Sequence, residues 1–318
     1  MKTALVIGAN GQDGTFLVRH LLQRQYRVIG IDMQPTSRWN LQGQAFVYQC
    51  ADLRNYGNLL AIIRSARPEL IFHVAAVHTS AGGTYETLFN DVLSVNVGSV
   101  HEVLEYLRER QNVRFIYASS CKVFGFPLPS NVNLTTPIVD QDLYSISKNS
   151  AGRLIEYYRK QHGVLATIVY LSNHESELRP NDFFIPTILR CLASALKVSS
   201  HTTQVNSLEF YCDWGSAEEF TDIMIDILIK SAGNDFLLAT GKSIYAREYV
   251  SELFEEFGLR YIEHIKERSI DSGQDQKPYC VDLSKLLGCI GRVPTRTIMD
   301  ISRDILSKNY GLRLENRQ

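Results

Sequence analysis

Residues 3–14 read Thr3-Ala4-Leu5-Val6-Ile7-Gly8-Ala9-Asn10-Gly11-Gln12-Asp13-Gly14, and the fold is decided by how that stretch must be built. Ala4 to Ile7 is a short apolar run of the kind that forms a buried strand. Gly8, Gly11 and Gly14 follow at intervals of three. Glycines so spaced allow a tight turn and a close approach of the backbone to a pyrophosphate. Phe16, Leu17, Leu21 and Leu22 then recur at helical spacing. A helix that opens directly behind the turn offers free N–H groups and the positive end of its dipole to an anion. Gly-x-x-Gly-x-x-Gly alone is a weak signal. Its strand–turn–helix setting is what makes it a dinucleotide-binding turn.

Working outward, the first half of the chain alternates strand-like and helix-like segments. Val28 to Asp32 is a second strand, Ala45 to Tyr48 a short third, Leu70 to Phe72 a fourth, Val113 to Ala118 a fifth and Leu165 to Leu171 a sixth. Helices are expected at Leu59 to Arg64, Val95 to Arg108 and Asp142 to Gln161. Alternation of this kind gives right-handed βαβ units and a parallel sheet. After Leu171 it breaks at a Pro180-Asn181-Asp182 loop. A helix from Pro186 to Lys197 and a polar stretch from Ser199 to Asn206 follow. Helix Ala217 to Lys230 and strand Phe236 to Ala239 return to the core sheet. The expected fold is α/β: a Rossmann doubly wound parallel sheet with a smaller mixed α/β substrate-binding lobe. The first comprises 1–172 plus about 213–242; the lobe comprises about 173–212 and 243–318.

Composition narrows the partners. Lys plus Arg total 33 and Asp plus Glu 34, a net charge of -1. No basic field draws the chain to nucleic acid or to a membrane surface. No apolar run approaches the roughly 18 residues of a membrane span. Six cysteines lie scattered without a C-x-x-C pair, and no His/Cys spacing suits a metal. Reduced thiols and a cytoplasmic location are expected.

Asp32 ends the second strand beyond the glycines. A carboxylate there can hold the adenosine ribose hydroxyls and would repel a 2′-phosphate, which favours NAD. Arg38 leaves NADP possible. Asp52 is positioned either for the adenine edge or as a turn residue. Tyr144 and Lys148 are four apart and share one helix face. An ammonium beside a phenol favours the phenolate and lowers its pKa, giving a proton acceptor for an alcohol that loses hydride. Ser119-Ser120 stands upstream at the carboxyl edge of the sheet, where such sites form.

With these residues quoted, the chain resembles the extended short-chain dehydrogenase/reductases in Gly8 to Gly14, Asp52, His73-Val74-Ala75-Ala76, Ser120, Tyr144 and Lys148. A closer resemblance is to GDP-mannose 4,6-dehydratases. It is carried by Leu171-Ser172-Asn173-His174-Glu175-Ser176, by Asp213-Trp214-Gly215 and by Asp235-Phe236-Leu237-Leu238-Ala239-Thr240-Gly241. The resemblance implies that Tyr144 is the base at the hydroxyl of sugar carbon 4. Lys148 would hold the nicotinamide ribose, and Ser120 would bind the reacting oxygen. It assigns Asn10, Gln12, Asp13, Leu53, Ala75, Ala76, Leu171 and His174 to the cofactor. Ser80 and Asn173 would meet the substrate, Asn173 at its diphosphate. It implies a homodimer in which helices Val95–Arg108 and Asp142–Gln161 pair as a four-helix bundle.

The pattern is departed from in several positions. Where GDP-mannose dehydratases have Thr-Ser-Glu, this chain has Ser120-Cys121-Lys122. Lys122 thus takes the position of the glutamate base. CDP-glucose dehydratases and inverting UDP-sugar dehydratases carry Asp-Lys there. A lysine can act as base if its pKa falls from about 10.4 toward 7–8; otherwise Lys122 is a phosphate or surface lysine. Cys121 stands where an acid is expected. Cys212 replaces an arginine, and Pro186-Thr187 replace an Arg-Lys pair. Arg179 and Arg190 remain as local cations for the substrate. Three readings follow: a nucleotide-sugar 4,6-dehydratase with tightly held cofactor, an epimerase or 4-keto-sugar reductase on the same scaffold, and a cofactor-binding regulatory protein.

Overall fold

The computed structural model describes residues 1–38, 45–79, 85–268 and 276–313. The glycine turn joins β1 (Thr3–Ile7) to α1 (Gln12–Gln23), and β2 (Arg27–Asp32), β3 (Phe46–Cys50), α2 (Asn58–Ala66) and β4 (Leu70–His73) follow. Next come α3 (Phe89–Leu93) and α4 (Ser99–Glu109), joined by a π-helical turn at Ser94–Gly98, then β5 (Arg114–Ser120) and the short β6 (Asn131–Val132). They lead to α5 (Leu143–His162), β7 (Leu165–Leu171), β8 (Asn173–Glu175) and α6 (Phe184–Ala195). Then come β9 (Thr203–Val205), β10 (Tyr211–Cys212), β11 (Trp214–Ser216), α7 (Ala217–Ser231) and β12 (Phe236–Leu238). The chain closes with β13 (Ile244–Tyr245), α8 (Ala246–Glu256), α9 (Tyr261–His264), β14 (Ile265–Glu267), β15 (Cys280–Val281), α10 (Ser284–Ile290) and α11 (Ile298–Tyr310).

Seven strands pair in the order β12-β7-β5-β4-β1-β2-β3, all parallel. The order reverses direction between β1 and β4, so a crevice opens at their carboxyl ends. Parallel strands are covered on both faces and read as continuous apolar runs. Ala4, Leu5, Val6 and Ile7 are accordingly all fully buried. Leu5 and Ile7 face Val100, Val103 and Leu104 of α4 and Ile155 of α5. Ala4 and Val6 face Leu17, Val18 and Leu21 of α1 and Ile223, Met224 and Ile227 of α7. Each fully buried Leu or Ile contributes about 1.5–3 kcal/mol, so the strand ends form a rigid platform. A third core gathers Ile188 and Leu189 of α6, Trp214, Leu253 and Phe254 of α8, and Ile301 and Ile305 of α11. The β8–β11 pairing, Trp214 opposite Asn173, links β7 to that core.

The sheet matches the expectation, including the return of β12 beside β7. Two elements differ. The helix expected from Val95 starts at Phe89 and carries the π turn. Within it Asn96 is fully buried and bonds Val77 and Ser147; π turns are frequent at functional sites. The polar stretch after Ser199 contains β9, paired with β14. Of its three residues only Val205 is buried, too little for a strand signal.

Candidate active site

The glycine turn is built for close approach. Gly8 has φ +94°, and a Cβ there would lie 2.7 Å from the Ala75 nitrogen. A Cβ on Gly14 would lie 1.9 Å from the Gly8 oxygen, so α1 can press onto the end of β1 only with glycine present. Gly11 is the N-cap of α1 and supplies no side-chain cap. The first-turn N–H groups are thereby left to an anion. Asn10 fastens the turn to the loop after β2. Its amide donates to the Thr36 oxygen at 2.9 Å and to the Tyr48 hydroxyl at 3.1 Å, and its Oδ1 accepts the Arg38 N–H at 2.8 Å.

Asp32 accepts the Asn10 N–H at 3.0 Å and the Met33 N–H at 2.8 Å. It therefore sits beside the turn at the end of β2. Gln12 donates to the His174 carbonyl at 3.1 Å and accepts from Ser176 at 2.8 Å. The His174 ring lies 3.1 Å from both oxygens of Asp13. Burial alone would raise the Asp13 carboxyl, but His174, Arg179 and Gln12 together outweigh it and hold it below its ordinary value. Both oxygens of Asp52 are engaged by Arg54, at 2.7–3.0 Å. Leu53 packs against the sheet core, Leu171 is buried, and Ala76 is exposed beside Ala75. Arg38 meets the turn through its backbone. Ser80 lies outside the described residues.

Asp142 and Ser145 form a capping box that starts α5, which fixes Tyr144 in its first turn and Lys148 one turn on. Ser120 ends β5 and accepts the Lys122 N–H at 3.2 Å. Lys148 is 3% exposed, donates to the Ala118 carbonyl at 2.7 Å, and holds its ammonium 5.7 Å from the Tyr144 ring centre. Burial pushes Lys148 down to about 7, against the opposing charge of Asp13. Tyr144 is raised by burial and by Tyr85, while the Ser120 hydroxyl and Arg179 work in the opposite direction. Lys148 is not among the largest influences on the phenol.

Lys122 follows Ser120 in a 3₁₀ turn, with its ammonium 5.9 Å from the Tyr144 ring centre. The residue is exposed overall, yet desolvation of the amine lowers it, with Arg179 adding to the effect and Asp142 and Cys212 opposing it. Cys121 is corrected. Its thiol turns away from Lys122 into the sheet core, 3.6 Å from the Tyr170 carbonyl, and burial raises it. A buried, raised thiol is inert.

The opposite wall comes from β8 and α6. Asn173 is exposed and donates to the Cys212 sulfur at 2.9 Å. Arg179 packs its guanidinium 3.8 Å from the Phe183 ring centre, and Nε lies 3.7 Å from buried Glu175. Its charge reaches Asp13, His78, Lys122 and Tyr144. Arg190 is instead exposed on α6 and donates to the Asn181 carbonyl at 3.2 Å, with no contact to the Tyr144 set.

Three residues escaped the sequence reading. His78 stacks on Tyr144 with ring centres 4.5 Å apart. Tyr85 bonds His78 at 2.7 Å. Asn96 ties Val77 to Ser147, which lies between Tyr144 and Lys148. His78 comes five residues after the end of β4, so the carboxyl-end rule for parallel sheets was the available signal. Among the described residues, no group of three His, Cys, Asp or Glu side chains could hold a metal, and no helix is long and apolar enough to cross a membrane.

The chain is similar to known proteins over most of its length. A GDP-mannose 4,6-dehydratase of Sinorhizobium fredii is 29% identical over 298 residues, covering 88% of this chain and 84% of that protein. One from Caenorhabditis elegans is 28% identical, covering 82% and 72%. Among solved structures, a dTDP-glucose 4,6-dehydratase from Bacillus anthracis in complex with NAD superposes with a TM-score of 0.82 at 18% identity, covering 98% of this chain and 96% of that one. A UDP-glucose 4-epimerase from Thermotoga maritima with UDP-glucose gives 0.81 at 18% identity, covering 97% and 98%. The family model described as GDP-mannose 4,6 dehydratase matches residues 5–285, and the chain belongs to that family.

Proposed function

We propose that the protein is a nucleotide-diphosphate-sugar 4,6-dehydratase that retains a nicotinamide cofactor, NAD in preference to NADP. The uncapped N-terminus of α1 fits a pyrophosphate and Asp32 fits ribose hydroxyls. Gly8, Asn10, Gly11, Gln12, Gly14 and Asp32 would hold the adenosine half, and Tyr144 and Lys148 the nicotinamide half. Bound there, the nicotinamide supplies hydride acceptance from carbon 4 and hydride return to carbon 6. Tyr144 takes the proton of the carbon-4 hydroxyl, and Ser120 hydrogen-bonds that oxygen. The resulting ketone acidifies carbon 5. Lys122 Nζ takes the carbon-5 proton and passes it to the carbon-6 hydroxyl, which departs as water. The exposed amine then takes a proton from solvent and gives it to carbon 5 after hydride returns, while Tyr144 releases its proton to solvent. Water is lost and no net oxidation occurs.

The observation that carries this reading is Lys122, an amine lowered by desolvation beside the Tyr144 ring. An epimerase or 4-keto reductase has no use for a second base. The Cys121 thiol in the core favours that second reading, since no acid comes from the expected position. Arg179 and Asn173 are the proposed substrate contacts. A homodimer through the α3–α4 and α5 faces is supported by exposed Phe89, Leu93, Ile146 and Tyr157; a soluble cytoplasmic enzyme is the reading that composition supports. The test is incubation with NAD and GDP-mannose, CDP-glucose, dTDP-glucose or UDP-glucose. A 4-keto-6-deoxy sugar is expected; a carbon-4 epimer from any of them would transfer the chain to the second reading.

A further inference from the structure

The pocket holds a histidine that the proposed chemistry has not yet used. His78 lies five residues beyond the carboxyl end of β4, the strand that pairs with β5. Its ring is stacked on Tyr144 with centres 4.5 Å apart and tilted against Phe183 at 5.7 Å. Its Nδ1 is 2.7 Å from the Tyr85 hydroxyl, which accepts the Thr79 N–H at 3.2 Å. The phenol accepts from the Thr79 N–H, and Nδ1 is the acceptor within reach of its own proton, so we take the phenol to donate to Nδ1. That assigns the imidazole proton to Nε2, on the far side of the ring from Tyr85. Burial, reinforced by Lys122, Arg179 and Lys148, holds His78 down at about 3, so it stays neutral at working pH. The acid expected at Cys121 is absent from the pocket. A fixed neutral donor therefore adjoins the phenol.

We propose that His78 is a further catalytic residue, donating a hydrogen bond from Nε2 to the carbon-4 oxygen of the hexose as negative charge collects there. The inference rests on the dehydratase reading, in which removal of the carbon-5 proton delocalises charge onto that oxygen. A donor held in place before charge develops stabilises the transition state without reorganisation. A neutral imidazole suits the task because it cannot pass its proton on and trap the intermediate. Tyr85 is a positioning residue, acting through the tautomer of His78.

The test uses the full chain with NAD and whichever nucleotide sugar the wild type converts. His78→Phe keeps the ring stack and removes the donor; His78→Gln restores a donor near Nε2. For His78→Phe, kcat should fall by about 10²-fold, while KM and NAD affinity change little and melting temperature is retained. His78→Gln should recover most of kcat, and Tyr85→Phe should lose only a few-fold of it. If His78→Phe does not fold, the His78→Gln and Tyr85→Phe pair decides. Gln losing as much as about 10²-fold, or Tyr85→Phe leaving kcat untouched, overturns the proposal. A His78→Phe kcat within about twofold of wild type overturns it and leaves the dehydratase reading standing. A rise confined to KM also overturns it, since His78 would then hold only the ground state. A wild type that converts no nucleotide sugar removes the dehydratase reading itself and this proposal with it.

Discussion

Lys122 holds its ammonium 5.9 Å from the ring centre of Tyr144. Lys148 stands 5.7 Å from the same centre, so two amines flank one phenol. Both are lowered by desolvation, but their access differs. Lys148 is sealed at 3% exposure and donates a hydrogen bond to the Ala118 carbonyl, whereas Lys122 is exposed. Lys122 can exchange protons with water during a turnover, and Lys148 is far less able to. That asymmetry assigns the two lysines to different tasks in the proposed reaction.

Tyr144→Phe should abolish turnover, by roughly 10²- to 10⁴-fold. Cofactor affinity and melting temperature should stay close to wild type. The ring remains packed on His78, and only the proton acceptor is lost. Steady-state kinetics with a converted nucleotide sugar checks it; unchanged turnover would mean that the Tyr144–Lys148 spacing is accidental.

NAD(H) should bind more tightly than NADP(H). The Asp32 carboxylate lies beside the glycine turn, held by the Asn10 and Met33 N–H groups, and a 2′-phosphate would meet it with like charge. Isothermal titration with both cofactors decides the matter. Tighter NADP binding would direct attention to Arg38, whose backbone N–H is bonded to Asn10.

Stability should depend on pH through Lys148. In the folded chain it titrates at about 7, against about 10.4 for an unfolded lysine. Between those values the unfolded state binds more protons, so this group makes stability rise with pH across that window, and its full penalty remains below pH 7. The difference in melting temperature between wild type and Lys148→Met, without cofactor, should therefore shift in favour of wild type as pH rises from about 6.5 to about 9. A constant difference would show that Lys148 keeps its charge when buried.

The sheet was legible because apolar runs such as Ala4 to Ile7 have no alternative to a covered strand, and the Gly8–Gly14 spacing has a steric reason at Gly14. Tyr144 and Lys148 were legible because helix geometry alone puts residues four apart on one face. Cys121 was misread because its neighbours Ser120 and Lys122 both belong to the pocket. In the 3₁₀ turn that follows β5, the intervening side chain faces the core instead. His78, Tyr85 and Phe183 meet only through tertiary packing, and no periodicity in sequence announces such a contact. The Asp52–Arg54 pair was not legible in sequence because it forms across a turn whose shape had to be seen.

The proposed dimer makes a separate prediction. Ile146 and Tyr157 are exposed on one face of α5, about three turns apart. Sedimentation should give a dimer for wild type, and Tyr157→Glu should weaken it. A wild-type monomer at micromolar concentration would remove the four-helix-bundle expectation.

The most direct test of the dehydratase account is the isotope content of carbon 5. In deuterium oxide, the wild-type product should carry deuterium there, because the exposed Lys122 amine exchanges with solvent before it returns a proton. Lys122→Met should still remove hydride from carbon 4, so reduced nicotinamide should accumulate in a single turnover, and carbon 5 should stay undeuterated. Deuterium at carbon 5 in the Lys122→Met product at the wild-type level would contradict the account by showing that a group other than Lys122 moves that proton, and a wild-type product without deuterium at carbon 5 would replace it with the epimerase or reductase reading.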